Sequence, residues 1–335
     1  MAPVAARARV VSGMRPTGRL HLGHLVGALR NWVDLQAEYE CFYFVADWHA
    51  LTSGYADTSE LTTYARDNAA DWIAAGLDPE RSTLFVQSLV PEHAELALLL
   101  SMIIPIPWLE RVPTYKEQID QLSDKDLSSV GFLSYPLLQT ADVIIYNARY
   151  VPVGEDQVPH LELSREIVRR FHNLYGEVFV EPQPLLTPVP RLPGLDNRKM
   201  SKSYQNTIDL ADPADVVIKK VRMMYTDPNR VRADIPGTVE GNPVFIYHEA
   251  FNPNTAEVDD LKTRYREGRV GDVEVKTKLA AALNTLLEPM RQRRAEVLAR
   301  PGYLDEVLFE GSRRARVHAA ETMARVREAM DIAYR

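Results

Sequence analysis

The first third of the chain alternates short apolar, β-branched runs with amphipathic stretches, and this alternation restricts the fold more than any other feature. Ala8 to Ser12, Cys41 to Ala46 and Thr83 to Gln87 read as buried strands. Between the first two, Leu22, Leu25, Val26, Leu29 and Val33 fall at i, i+3, i+4, i+7 and i+11, the stripe of an amphipathic helix. Leu61 to Ala75 reads as a second helix. A helix between two strands returns the chain to the same end of a sheet, so such strands pair in parallel. The expected fold class is α/β, a doubly wound parallel sheet of the Rossmann type, with ligands at the carboxyl ends of its strands.

From about Pro91 to Tyr150 the pattern turns helical and irregular, which reads as an insertion between two halves of the sheet. Pro182, Pro184, Pro188, Pro190 and Pro193 make the next stretch extended, because each lacks a backbone donor and has a fixed φ. Beyond about Asp209 the chain is mostly helical. Leu279, Leu283, Leu286 and Met290 form one stripe, which Pro289 is expected to kink or break, and Ala319, Met323, Val326 and Met330 form another. The expected division is a catalytic domain over 1–207 with an insertion at about 91–150. A helical domain follows over 208–335, its last helix packing back on the first domain.

With 46% hydrophobic and 25% charged residues among 335, the chain has the composition of a soluble globular protein. Its one cysteine, Cys41, excludes an intramolecular disulfide and a multi-cysteine metal site, and fits a reducing compartment. Residues Met1 to Arg7 hold no apolar run, and the stretch from Leu96 to Pro107 is too short to span a bilayer. A cytoplasmic location without membrane attachment is expected. The net charge of −7 means that an RNA partner would meet local basic patches. Lys219, Lys220 and Arg222, then Arg291, Arg293 and Arg294, then Arg313, Arg314 and Arg316 form such patches, although composition alone favours reading them as solvated helix faces.

Two segments carry chemistry. Gly13-Met14-Arg15-Pro16-Thr17-Gly18 turns the chain after the first strand and leads to His21-Leu22-Gly23-His24 at a helix start. A helix N-terminus offers N–H donors to phosphate, and imidazoles there can donate to phosphoryl oxygens as charge migrates. Gly23 leaves a flat place for a nucleotide against the backbone. Lys199-Met200-Ser201-Lys202-Ser203 supplies two compact cations on a loop, suited to following β- and γ-phosphates as pyrophosphate leaves.

The two motifs in this order resemble those of class I aminoacyl-tRNA synthetases, and the residues between them resemble the tryptophanyl-tRNA synthetases in particular. The likeness rests on Ser12 to Gly18, on Asp47-Trp48-His49-Ala50, and on Phe85-Val86-Gln87-Ser88 with Pro91-Glu92-His93. Tyr135 to Asp142, Val151 to Gln157 and His160-Leu161-Glu162-Leu163 complete it. It runs from about residue 8 to the C-terminus. The resemblance implies that Asp142 accepts the indole N–H of tryptophan. Tyr135 and Gln157 would hold its ammonium and carboxylate, with His49, Gln139, Val153, Val11 and Gly13 shaping the pocket. Arg15, Pro16, Thr17, Gly23, His24, Gly154, Glu155, Asp156, Leu192, Lys199, Met200, Ser201, Lys202 and Ser203 would line the ATP site. His21, His24, Lys199, Lys202 and Lys116 would stabilise the migrating charge. ATP would enter with Mg2+ and no metal would be held by the protein; tRNA(Trp) would be the partner of a homodimer.

Relatives often carry Gln at Arg15, Met at Gln139, Asn at His24 and Asp at Tyr204, so this chain departs from the family pattern at four places. A tyrosyl-tRNA synthetase and a tryptophan-binding regulatory paralogue that no longer charges tRNA are the alternatives.

Overall fold

The computed structural model describes residues 7–112, 127–186, 192–200, 204–230 and 232–334, which form two compact units. The first takes in 1–17, 30–188 and 300–335, and the second 18–29 and 189–299. The boundary thus differs from the expected cut after residue 207. The first signature and the lysine loop share a unit, and the last helix belongs with the sheet.

In the first unit, β1 (Arg9–Met14), β2 (Glu40–Val45), β3 (Ser82–Val86), β4 (Tyr150–Val153) and β5 (Gln183–Leu186) form one parallel sheet in the order β3-β2-β1-β4-β5. The chain winds outward from β1 to β3, then crosses back and winds the other way. The carboxyl ends of β1 and β4 therefore flank the switch point, where such sheets leave a crevice. Pro184 pairs with Val151 in β5. A proline is tolerated there because β5 is an edge strand and one side of it needs no donor.

The first helical stretch is not uniform. A short α1 (Leu22–His24) passes into a π turn over Leu25–Leu29 and then into α2 (Arg30–Leu35). The apolar spacing fits both windings, so it does not reveal the turn, and such insertions cluster at functional sites. Trp32 of α2 stacks on Tyr43 with centroids 4.4 Å apart, and Trp72 meets it edge-on at 5.4 Å. Next come α3 (Asp47–Gly54) and α4 (Leu61–Ala75), then α5 (Glu92–Ser101), α6 (Ile106–Glu110) and α7 (Val130–Ile144) between β3 and β4. β4 leads through a tight turn over Glu155–Gln157 into α8 (Val158–Tyr175).

The final helix (Tyr303–Ala329) lies against the outer edge of β3. Ala315, Ala319, Met323 and Val326 are buried in the same core cluster as Phe42, Phe85 and Tyr146. Ser312 Oγ accepts from the Val86 N–H at 3.2 Å and donates to the Leu308 carbonyl at 2.7 Å. The helix thereby covers a strand edge that would otherwise be open to pairing with another chain.

The second unit is built on α9 (Ala214–Arg222), α10 (Pro243–Phe251), α11 (Thr255–Arg266) and α12 (Asp272–Leu298). Pro289 does not end α12, which runs on to Leu298. Buried Leu279, Leu283 and Leu287 before the proline and Met290 and Val297 after it anchor both halves. Leu287 takes the inward place expected of Leu286. Two buried cations organise the loops: Lys276 Nζ donates to the carbonyls of Arg222 and Met224 and to Thr226 Oγ1, capping the end of α9. Arg230 lies over the Tyr265 ring at 4.0 Å and pairs with Asp272 at 3.0 Å.

Candidate active site

A cavity of about 360 Å³ opens at the carboxyl ends of β1 and β4. All eight residues expected around tryptophan line it: Val11, Gly13, His49, Tyr135, Gln139, Asp142, Val153 and Gln157. The geometry follows from the elements. Tyr135, Gln139 and Asp142 stand at i, i+4 and i+7 of α7, so one helix face presents all three. His49 stands in the first turn of α3, just after β2, and Val153 ends β4. Arg15 and Gly154, expected at the nucleotide, also line this cavity.

Asp142 is the chemical centre of the cavity. The residue is 2% exposed, and both carboxylate oxygens are engaged. His93 Nδ1 lies 2.5 Å from Oδ1 and His49 Nε2 lies 2.7 Å from Oδ2. Gln87 Nε2 donates to both, at 2.8 and 2.9 Å. Burial alone would push the carboxyl up, but the charge of His49 and the hydrogen bonds from His49 and His93 outweigh it and hold the group at about 2. The side chain is thus a fixed anion, an acceptor only.

The remaining polar groups differ in kind. Burial pushes His160 down to about 4, with Asp156 opposing and His49 adding to the shift, so this ring is neutral at pH 7. Its ring centroid lies 5.7 Å from that of Tyr135. Arg15 opens onto solvent within the cavity yet is walled by protein, and burial lowers its pKa while Tyr135 raises it. Gln157 Nε2 donates to Asp156 Oδ2 at 2.9 Å, while Glu155 and Asp156 are exposed.

The phosphate motifs lie in the second unit. His21 caps α1: its Nδ1 accepts from the Gly23 N–H at 3.1 Å, and His24 Nδ1 accepts from the His21 N–H at 3.1 Å. In a neutral imidazole the other nitrogen then carries the proton, so Nε2 of each ring is a donor. The chain beyond the lysine loop joins this cap. Leu22 N–H donates to the Ile208 carbonyl at 3.0 Å, and Leu210 N–H donates to the Leu20 carbonyl at 2.9 Å. A Cβ on Gly23 would stand 2.9 Å from the His21 ring and 3.0 Å from Met200 Sδ, so glycine permits the two motifs to touch. Pro193 and Lys199 form a bridge, and Asn206 Nδ2 donates to the Lys199 carbonyl at 3.1 Å. Asn206 also holds Asp196, whose carboxyl falls to about 2 through that bond first and through Arg198. Leu192 lies at the start of this loop. Lys116, Ser201, Lys202 and Ser203 lie outside the described residues.

Residues 4–288 match the family model described as tRNA synthetases class I (W and Y). The chain belongs to that family. A tryptophan–tRNA ligase of Thermotoga maritima is 52% identical over 97% of this chain and 100% of its own length. One of Treponema pallidum is 51% identical over 98% of each. Among solved structures, the tryptophanyl-tRNA synthetase of Campylobacter jejuni complexed with ADP and tryptophan superposes with a TM-score of 0.86 at 34% identity. It covers 96% of this chain and 99% of its own.

Within this class I framework the departures have definite places. Arg15 and Gln139 both line the cavity, so both departures expected from the sequence fall at its wall. His24 takes part in the cap, and Tyr204 is exposed with the Arg198 guanidinium 5.4 Å from its ring. Sequence reading gave no role to Gln87, His93, Tyr146, Phe44, Thr52 or His160. Gln87, His93 and His160 lie in segments that carry the resemblance; their polar character in otherwise apolar surroundings was the available signal.

Proposed function

We propose that this chain activates L-tryptophan with ATP to tryptophanyl-AMP and transfers the aminoacyl group to tRNA(Trp). The observation that carries the substrate assignment is the Asp142 carboxylate, a buried anion held by His49, Gln87 and His93 at the wall of the cavity. An acceptor placed for one ring N–H rejects amino acids that cannot supply it, which apolar packing alone does far less well. Tyr135 and the Gln157 amide oxygen hold the α-ammonium, and Arg15 attracts the carboxylate and the phosphate it attacks.

In the first step a carboxylate oxygen of tryptophan bonds to the α-phosphorus of the magnesium–ATP substrate, and the bond to the bridging oxygen of pyrophosphate breaks. No side-chain nucleophile is required, so the rate comes from positioning and from charge stabilisation. The Nε2–H donors of His21 and His24, with Lys199, Lys202 and Lys116, neutralise charge passing to pyrophosphate. Gly23, Gly154, Glu155, Asp156 and Met200 contact the nucleotide. In the second step a terminal ribose hydroxyl of tRNA attacks the carbonyl carbon and AMP leaves.

The helical second unit receives the anticodon end, with exposed Lys219 and Arg222 on α9 as contacts. Leu98, Met102 and Ile106 are exposed apolar residues on and beside α5 and α6, and they suit burial in a homodimer. The reaction takes place in the cytoplasm. Pyrophosphate exchange into ATP that depends on tryptophan, and charging of tRNA(Trp) by the purified chain, test the reading. Exchange driven by tyrosine instead would assign the other branch of the family, and adenylate formation without charging would favour the paralogue.

A further inference from the structure

Three groups around Asp142 have no part in binding ATP or transferring the aminoacyl group: Gln87, His93 and Tyr146. All three are fully buried. His93 lies between the other two groups of a chain, with Nδ1 2.5 Å from Asp142 Oδ1 and Nε2 2.6 Å from the Tyr146 hydroxyl. A carboxylate can only accept, so Nδ1 carries the proton. In the neutral ring Nε2 then accepts from the Tyr146 O–H, which leaves the imidazole one satisfied tautomer. Tyr146 is itself fixed by stacking on Phe42, with centroids 4.8 Å apart and planes 18° from parallel.

The two carboxylate oxygens consequently have different surroundings. Gln87 donates to both, and what separates them is the second donor: Oδ1 takes it from His93, which does not line the cavity, and Oδ2 from His49, which does. We infer that His93, kept in one tautomer by Tyr146, is a positioning residue that ties Asp142 Oδ1 to the core and so assigns Oδ2 to reading a ring N–H. The inference rests on the tryptophan reading above. Loss of the His93 donor would let the carboxylate turn and would leave Oδ1 with Gln87 as its remaining donor in fully buried surroundings. Loss of the Tyr146 hydroxyl would release the tautomer, and the alternative form presents a lone pair to the anion.

A role in packing alone would lower stability and affect all amino acids alike. A positioning role alters discrimination between a ligand with the ring N–H and one without it. The experiment compares tryptophan with 3-benzothienylalanine, in which sulfur replaces the N–H, in ATP–pyrophosphate exchange by the full chain. In His93→Leu the ratio of kcat/KM values for tryptophan over the sulfur isostere should fall by about tenfold, and in Tyr146→Phe by about threefold, the scale of one hydrogen bond to a charged group. The KM for ATP should stay within about twofold of wild type, because only the amino-acid side of the reaction loses a contact. His93→Asn, which can place an amide N–H near the lost Nδ1–H, should recover most of the ratio. Should His93→Leu fail to fold, Tyr146→Phe decides, since it keeps the stacked ring. A wild-type ratio in folded Tyr146→Phe and His93→Leu, or in Tyr146→Phe alone if the other does not fold, overturns the inference. Absence of tryptophan-dependent exchange by the wild-type chain overturns the functional reading and this inference together.

Discussion

Gly311 lies so close to the Leu84 carbonyl that a Cβ at that position would overlap the oxygen. The helix of residues 303–329 can seat on β3 only because this residue has no side chain. Backbone on both sides leaves nothing flexible to move aside. Gly311→Ala should therefore destabilise the protein by about 1–3 kcal/mol, as overpacking does, despite the better helix propensity of alanine. Urea unfolding would show it as a lower midpoint with an unchanged slope. A midpoint equal to wild type would mean that the helix does not press on the strand as described.

Asp142→Asn keeps the shape of the side chain and removes the anion. One of its two acceptor positions becomes an NH2 group that faces donors from His49, Gln87 or His93. The expected outcome is a loss of about a hundredfold or more in kcat/KM for tryptophan, since a polar site that loses its match leaves buried groups unpaired. The KM for ATP, measured in the same exchange assay, should change little. Equal losses for both substrates would argue against a role in reading the amino acid.

The sheet was legible in the sequence because alternation is a short-range rule, whereas the residues that line the cavity were reached through the family resemblance. The alternation of strands and helices placed β1 to β3 in parallel, and the Val151 to Gln157 segment marked a strand end, which opens onto the cavity. What stayed hidden depends on distant pairing. Gln87 and His93 meet Asp142 across 55 and 49 residues of chain. No local pattern encodes such contacts. Within the basic patches Lys220 pairs with Asp212, Arg291 with Glu288, Arg313 with Glu310 and Arg316 with Glu92, so these four charges are engaged within the fold. The π turn at Leu25–Leu29 and the passage of α12 through Pro289 were illegible because tertiary burial overrode local preference.

Acid should destabilise the chain in two stages. His160 has a folded pKa of about 4, below its usual 6.5, because burial favours the neutral ring. Between these values the unfolded state binds the extra proton, so stability is complete above about pH 6.5 and falls as pH drops toward 4. The loss from this group would reach up to about 3 kcal/mol. Asp142, held at about 2 by its partners, adds a second loss between roughly pH 4 and 2. His160→Gln should flatten the first stage, read as unfolding free energy at a series of pH values, and leave the second in place. An unchanged slope between pH 6.5 and 4 in that variant would assign the first stage to other groups.

His21 combines two functions that a pair of substitutions can separate. Its Nδ1 caps the first helical turn, while the proposed donor to phosphate is Nε2. His21→Ala should lose both, lowering stability by about 1 kcal/mol and slowing tryptophan-dependent exchange by about a hundredfold through kcat. Asparagine is among the best N-cap residues but does not extend to the position of Nε2. His21→Asn should therefore regain the stability while exchange stays slow. Thermal unfolding and pyrophosphate exchange on the same preparations check both halves. Recovery of both in His21→Asn would reduce His21 to a capping residue and leave the phosphate contact to His24 and the lysine loop.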